Sequence, residues 1–373
     1  MNVIFTCGGT GGHINPAIAV ANAWKQRHPE SKILFIGSQG HMEEQLVPAA
    51  GFEIKTFPTS GMSRKLNITG IKKNCKAVSD VLGAVRACKK LFKEFKPDII
   101  VGTGGYASFP ALFAGKQMKI PTVIHESNAM PGLTTRMAAA WAARVLICFE
   151  ESACRYKKPE KCIAVGMPIR KDFFLTEKAA ARAALGLDER PLVVSTFGSQ
   201  GARQMNIAMA DFMAMEQEKG FPWQHIHGVG KYGWEWMPER MASMNVVTGE
   251  GTSIDMREYI YNMPQVMAAA DVVISRAGAS TINEIAATGT PCILVPSPNV
   301  TDNHQEKNAR AVEARGGALV LLEKDCNAET LFGLVQELLA DPERYNAMSQ
   351  AIRGACVADS AERICSVMEE LVK

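Results

Sequence analysis

Short runs of almost purely apolar residues recur along the chain, each followed by glycine or small polar residues and then by a stretch with helical period. In the first half the runs are VIFT (3–6), KILFIG (32–37), DIIVG (98–102), PTVIH (121–125), RVLIC (144–148) and CIAVG (162–166). In the second half they are PLVVSTFG (191–198), HIHGVG (225–230), NVVTG (245–249), DVVISR (271–276), PCILVPS (291–297) and ALVLLE (318–323). A strand with one wet face alternates apolar and polar residues. A run without alternation is buried on both faces, as in a parallel sheet covered by helices. Strand–helix alternation along the whole chain predicts an α/β, doubly wound architecture.

The repeat restarts near residue 191, and 373 residues are enough for two domains of roughly 150 to 200 residues each. The stretch MPIRKDFFLTEKAAARAALGLDERP just before the restart carries a proline and a helix but no strand. The reading is a first domain over 1–166, a linker over 167–190, a second domain over 191–350 and a final helical segment over 351–373. In that segment Ile364, Val367, Met368 and Leu371 follow helical period, and the first domain is one surface they can pack on. Each half opens with a strand running into a glycine loop, GGTGGH in the first and GSQGAR in the second. Two similar Rossmann-like halves facing a cleft are expected, with ligands at the C-terminal strand ends.

A net charge of +3 argues against a general nucleic-acid binder. The ten cysteines show no repeated CxxC spacing, and Cys7, Cys148 and Cys292 lie in or at the ends of apolar runs, where cysteine behaves as a small hydrophobe. A reduced, cytoplasmic setting is the simplest expectation. Glycines interrupt the first apolar run, so no signal peptide is expected. No uncharged run approaches the roughly 20 residues of a membrane-spanning helix. The chain is expected not to cross a membrane, though it can lie against one.

The loop TCGGTGGHINPA (6–17) is the first candidate for chemistry. A dinucleotide fingerprint needs G-x-G-x-x-G and an acidic residue about 20 positions on. Counting from Gly9, Ile14 takes the place of the third glycine and Ser38 that of the acid, so the dinucleotide reading fails. A Walker A loop fails as well, since no Lys-Ser/Thr pair follows. Glycines before a helix still suit an anion or sugar-phosphate cradle, because backbone N–H groups approach closely and the helix adds its positive end. His13 at the rim is a natural general base near neutral pH, although a rim histidine is often structural. GTGGYASFP (102–110) follows another strand, and HESNAMPGLTTR (125–136) a third. Ala129 at the fifth position rules out the zinc pattern HExxH. Asn128 can read a sugar hydroxyl or shape a turn.

In the second half SRAGASTINEIAATGTP (275–291) follows a strand and opens a helix with small residues and hydroxyls. Free N–H groups there can hold a diphosphate, and Glu284 can accept two hydrogen bonds from a ribose diol. The competing reading is a capping box, which Ser280 with Asn283 nearly meets. The cluster Asp302, Asn303, His304 and Gln305 suits sugar hydroxyls or a polar helix start.

Taken in order, GGTGGHINPA, GTGGYASFP, HESNAMPGLTTR, GMPIR, FGSQGARQMN, SRAGASTINEIAATGTP and DNHQEKNA closely resemble one family from Cys7 to about Ala309. It is the MurG family, the undecaprenyl-diphospho-muramoylpentapeptide β-N-acetylglucosaminyltransferases that convert lipid I to lipid II. The resemblance implies a GT-B fold with the donor, UDP-N-acetylglucosamine, held mainly by the second domain. By the same resemblance Ile260 meets the uracil through its backbone, and Glu284 holds the ribose. Ser199, Arg170 and the Ala279–Ser280–Thr281 turn, continued by Ile282 and Asn283, face the diphosphate. Gln305 and Asn128 read N-acetylglucosamine, while Thr10, Gly11 and Gly12 close on the donor from the first domain. Gly104, Gly105 and Tyr106 belong to the acceptor side. Departures from the usual pattern stand at Phe197, Ser127, Met167 and Thr135, of which Phe197 puts the shape of the phosphate loop in question.

The implied reaction is a single inverting displacement by the C4 hydroxyl of the muramoyl sugar, with His13 as first choice of base and Glu126 as second. No Asp-x-Asp pattern stands near these loops, so neither a protein-bound metal nor any cofactor is expected. A lipid acceptor implies work at the cytoplasmic face of the bacterial inner membrane, as a peripheral protein on an anionic surface. Segment 62–96 fits: Arg64, Lys65, Lys72, Lys73, Lys76, Arg86, Lys89, Lys90, Lys93 and Lys96 stand against Asp80 and Glu94. Ile68, Ile71, Val78, Val81, Leu82 and Val85 accompany them. Membrane contact is expected of 62–76, and ordinary helix packing of most of 75–96. Two rivals are a related glycosyltransferase acting on another lipid such as diacylglycerol, and a non-catalytic sugar-nucleotide sensor.

Overall fold

The computed structural model describes residues 1–59 and 68–372, with side chains of the helix Ile68–Phe95 described from Asn74 on. The chain divides into two units, Met1–Ile169 with Val357–Lys373, and Arg170–Cys356.

The first unit carries a seven-stranded sheet. Its strands are β1 (Asn2–Thr6), β2 (Lys32–Ser38), β3 (Glu53–Phe57), β4 (Ile99–Gly102), β5 (Thr122–Glu126), β6 (Arg144–Ile147) and β7 (Cys162–Ala164). They lie in the order β3-β2-β1-β4-β5-β6-β7, and every pairing is parallel. Successive side chains leave a strand on opposite faces, so unbroken apolar runs feed two cores. Val3, Phe5, Val101, Val123 and Leu146 meet the helices Gly11–Arg27 and Ser360–Leu371. Ile4, Leu34, Ile100, Ile124 and Val145 meet the helices Ile68–Phe95 and Phe109–Gln117.

The second unit carries a six-stranded parallel sheet in the order β10-β9-β8-β11-β12-β13. These are β8 (Leu192–Thr196), β9 (Gln224–Gly228), β10 (Ile254–Arg257), β11 (Val272–Ser275), β12 (Cys292–Leu294) and β13 (Leu319–Val320). One face of this sheet packs on Met205, Met209, Phe212 and Met213 of the helix Arg203–Glu218. A polar chain crosses that core. Ser195 Oγ lies 2.7 Å from His225 Nε2 and 2.6 Å from His227 Nδ1, and Glu216 accepts from His225 Nδ1 at 3.0 Å and from Trp223. Burial holds the His227 imidazole down at about 3, so it sits neutral in the core.

Strand order reverses between β1 and β4 in the first sheet and between β8 and β11 in the second. Those switch points are where open α/β sheets leave a crevice past the strand ends. Both glycine loops of the first unit, and both SQGA and AGAS of the second, emerge there.

Two expectations are corrected. The strand expected at 245–249 is absent: Val246 is buried, but Val247 is 60% exposed and the backbone forms no strand. Its place at the sheet edge is taken by β10, where Ile254 and Met256 are buried while Arg257 and Asp255 pair at 2.7 Å on the other face. The stretch 167–190, read as a linker, contains the helices Asp172–Leu175 and Lys178–Ala184. From Arg170 on it is part of the second unit, tied by Lys178 and Arg182 to Asp271 at 2.6 and 3.2 Å.

The last helix, Ser360–Leu371, lies on Gly11–Arg27 in the first unit, burying Ile364, Cys365, Val367 and Met368. His28 and Arg27 close its end through Glu369 at 2.8 and 3.4 Å. Met368→Ala is expected to cost about 2–4 kcal/mol, the range for emptying a buried methionine site. Calorimetry would register this as a lower unfolding midpoint for the first unit. An unchanged midpoint would mean that the helix adds nothing to the core.

Candidate active site

In the first unit, β1 turns at Cys7–Thr10 straight into the helix Gly11–Arg27. Thr10 is the extended residue before the helix, and neither a side-chain cap nor an acidic residue occupies the first turn. His13 sits in that turn and is held twice by Thr103, the residue after β4. The ring places Nδ1 3.0 Å from the Thr103 carbonyl, and Thr103 Oγ1 donates to the His13 carbonyl at 2.6 Å. A carbonyl can only accept, so Nδ1 carries the proton and the neutral ring keeps its lone pair on Nε2. That is the tautomer a general base requires at Nε2.

The ring rests on Gly104 (φ +105°), where an added Cβ would come 2.7 Å from His13 Nδ1. At Gly105 (φ +79°) a Cβ would run into the Gly8 carbonyl oxygen. These two glycines let the loops after β1 and β4 pack backbone to backbone, and substitution at either is strained on φ alone. Tyr106 follows, half-buried, its hydroxyl 3.1 Å from His41 Nε2.

Glu126, the second candidate base, ends β5 and is buried. Its Oε1 accepts from the amide and side chain of Asn128, both at 3.0 Å, and its Oε2 accepts from the Gly132 amide at 2.9 Å. Both oxygens are committed to shaping the 127–132 loop. This geometry makes Glu126 the organiser of the loop that presents Asn128.

The second unit repeats the construction. The loop after β8 (Gly198, φ +93°; Gly201, φ +79°) packs against the loop after β9, where a Cβ on Gly230 would strike the Gly201 backbone. The amides of Lys231 and Tyr232 bond the carbonyls of Ser199 and Gln200 at 3.2 Å each, and Ser199 itself is exposed. Ile260 anchors its side chain on Gly228, while its own N–H and C=O make no hydrogen bond among the described residues. A free amide and carbonyl side by side suit the edge of a nucleobase.

The helix Ala279–Thr288 begins at Gly278 with no side-chain cap. The expected alternative, a capping box between Ser280 and Asn283, is not made: Asn283 Nδ2 donates to the Ala279 carbonyl at 2.9 Å, and the buried Ser280 hydroxyl has no partner among the described residues. The Ile282 amide closes the first turn on the Gly278 carbonyl at 2.9 Å, which leaves the N–H groups of Ala279, Ser280 and Thr281 at an uncapped, acid-free helix start of the kind that suits an anion. Glu284 lies further along, half-buried. Burial raises its carboxyl to about 7, with exposed Arg170 pulling the other way. Gln305 opens the helix His304–Glu313 and fixes its side-chain oxygen on the Ser297 amide at 2.9 Å. Just before it Asp302 and Asn303 hold φ of +55° and +51°, a strained pair of the kind that gathers at ligand sites. A cavity of about 560 Å³ lies beside this turn, lined by Gln204, Pro296, Asn303, Glu306 and Lys324, and contains none of the expected donor contacts.

Residues 3–147 match the glycosyltransferase family 28 N-terminal domain and residues 192–364 the glycosyltransferase family 28 C-terminal domain. A protein of Acetivibrio thermocellus described as UDP-N-acetylglucosamine--N-acetylmuramyl-(pentapeptide) pyrophosphoryl-undecaprenol N-acetylglucosamine transferase is 37% identical over 375 residues, covering 100% of this chain and 99% of that one. The protein of the same description from Thermoanaerobacter sp. is 38% identical over 372 residues, with 100% of both chains covered. The chain belongs to the MurG family. A crystal structure of Acinetobacter baumannii MurG, 23% identical, matches with a TM-score of 0.75 over 99% of each chain, a likeness of fold. The fold class is GT-B.

In this MurG-family chain Phe197 directly precedes the Gly198 loop. Its ring is buried beside His227 at 6.2 Å and under Arg276 at 5.9 Å, so the extra side chain goes into the core. Ser127, Met167 and Thr135 are likewise buried. Sequence reasoning missed Thr103, which stands in GTGGY between strand and glycines and fixes the histidine tautomer. It also missed the wholly buried Glu43.

Along the helix Ile68–Phe95, Ala77, Ala84, Val85, Cys88 and Phe92 are buried against the first unit, with Val81 partly buried there. Val78 and Leu82 point outward, 51% and 50% exposed, among the exposed Lys76, Arg86, Lys90 and Lys93. Arg64 and Lys65 lie outside the described residues, as do the side chains of Ile68, Ile71, Lys72 and Lys73. Among the described residues no helix is long and apolar enough to cross a membrane.

Proposed function

We propose that this chain transfers N-acetylglucosamine from UDP-N-acetylglucosamine to the C4 hydroxyl of the muramoyl sugar of lipid I, forming lipid II with inversion at the anomeric carbon. The observation that carries the reading is the full-length likeness to relatives of that description, and the geometry of each unit agrees with it. His13 Nε2 takes the proton of the acceptor hydroxyl as that oxygen bonds to C1 and the C1–oxygen bond to the diphosphate breaks. The second unit holds the donor: the Ile260 backbone on uracil, Glu284 on the ribose diol, Gln305 on the sugar. Charge developing on the departing UDP is met by Arg170, Ser199 and the uncapped helix start at Ala279–Thr281. The acceptor side is built from the glycine loops around His13, with Gly104, Gly105 and Tyr106. Incubation with UDP-N-acetylglucosamine and a short-chain lipid I analogue should yield a β-linked disaccharide product by mass and NMR. An α linkage, or no product, would refute the reading.

A lipid acceptor argues for work at the cytoplasmic face of the membrane, and no helix among the described residues is long and apolar enough to span it. The contact is the basic segment 62–76 with the neighbouring exposed Val78 and Leu82. Each basic residue close to an anionic surface contributes on the order of 1 kcal/mol. Reversing the charges at Lys72, Lys73 and Lys76 should therefore weaken sedimentation with anionic liposomes by at least about tenfold. Undiminished binding would move the contact elsewhere.

A further inference from the structure

Beneath the first glycine loop lies a carboxylate with no part in the reaction described so far. Glu43 is wholly buried, and among the described residues no cation pairs with it. Its Oε1 accepts from the Ser38 amide at 2.9 Å and its Oε2 from the Gly9 amide at 3.3 Å. Room for it is made by two glycines, one in the loop after β1 and one in β2: a Cβ on Gly8 would fall 2.5 Å from Oε1, and one on Gly37 2.6 Å from Cγ. Burying a carboxylate without a counter-charge costs several kcal/mol unless hydrogen bonds to its oxygens offset it. Two strand ends and a helix start are shaped here to supply those bonds.

The neighbours register the charge. Cys7 is held above its ordinary thiol range, chiefly by burial and further by Glu43. Tyr106 is raised by burial and, more weakly, by Glu43. The contacts then continue toward the base: Gly8 carries its carbonyl against Gly105, and Gly104 supports the His13 ring. An amide that a phosphate loop would offer its ligand, that of Gly9, is spent on the protein's own carboxylate.

We propose that Glu43 is a positioning residue, the internal anion around which the Cys7–Thr10 turn is wound, and that its charge sets the pose of His13. The proposal rests on reading His13 as the base. Glu43→Gln keeps the shape but sets an NH2 against one of the two amides. Its kcat should fall roughly thirtyfold, in the range that displaced catalytic groups show, with KM for UDP-N-acetylglucosamine unchanged. Glu43→Gly opens space for a small anion, and formate should raise its kcat severalfold while chloride at equal ionic strength does not. Wild-type kcat within error in Glu43→Gln, or equal rescue by chloride, overturns the proposal. NMR supplies a readout independent of turnover. In Glu43→Gln the Gly9 and Ser38 amides should lose protection from exchange and the His13 ring signals should shift. Unmoved His13 signals overturn the positioning role even if the wild-type protein proves inactive with lipid I, an outcome that would instead remove the proposed function.

Discussion

Replacing His13 by alanine should lower kcat about a thousandfold, the middle of the range for removing a positioned general base, while the dissociation constant for UDP stays as in the wild type. The split follows from where the residues sit. His13 belongs to the first unit and is oriented by Thr103, whereas Ile260, Ser199 and Glu284 belong to the second. Loss of donor affinity together with kcat would mean that the substitution had disturbed more than the base. The pH profile is the sharper readout. Wild-type kcat should decline in acid as the imidazole takes up a proton, since His⁺ has no lone pair to offer. The alanine variant should lack that limb. A variant that retains both the rate and the acid limb would remove His13 as base, and the committed oxygens of Glu126 make that residue a poor substitute.

Glu284→Gln should weaken UDP binding by about a hundredfold, from two hydrogen bonds to a charged acceptor at roughly 1.5 kcal/mol each. The raised carboxyl adds a pH dependence with a definite sign. In the free protein Glu284 is half protonated at about pH 7, yet a ribose diol donates to the carboxylate. Donor affinity should rise with pH up to about 7 and level off above it, with protons released on binding below that point. Titration calorimetry in two buffers of different ionisation enthalpy measures that release directly. The same shift acts on stability in the opposite sense. A carboxyl whose folded value stands near 7 against an ordinary 4.5 stabilises the fold fully below 4.5, and that contribution is lost as pH rises through 7. Glu284→Gln should therefore bind UDP poorly, with a flat pH profile and an unfolding midpoint no lower than wild type above pH 7. A lowered midpoint with preserved affinity would contradict the assignment.

The central strands and the glycine loops were legible because their physics is local. Strands buried on both faces read as near-continuous apolar runs, and Val3–Phe5 of β1, Ile99–Val101 of β4, Leu192–Val194 of β8 and Val272–Ile274 of β11 do so. The edge strands follow a different rule. In β3 Glu53 and Lys55 pair at 2.9 Å on an exposed face, and in β10 Asp255 and Arg257 do the same. A search for unbroken apolar runs passes over such alternation, and at 245–249 it accepted a run that is not a strand. The site was legible where a motif supplies backbone geometry, as at Gly104 and Gly278. It was not legible where a side chain gains meaning from a distant partner. Glu43 looks like any acid at a helix start until Gly8 and Gly37 close over it. Thr103 looks like a strand end until His13 arrives from another loop. Glu126 is the converse case: its neighbours in sequence hinted at chemistry, and its hydrogen bonds show a loop anchor.

The account stands most directly on one rate, the release of UDP from UDP-N-acetylglucosamine, measured with and without a lipid I analogue. It predicts slow release without acceptor, a large increase when lipid I is added, and no comparable increase with diacylglycerol. Binding of the donor with no release in the presence of lipid I, or release stimulated equally by diacylglycerol, would contradict it.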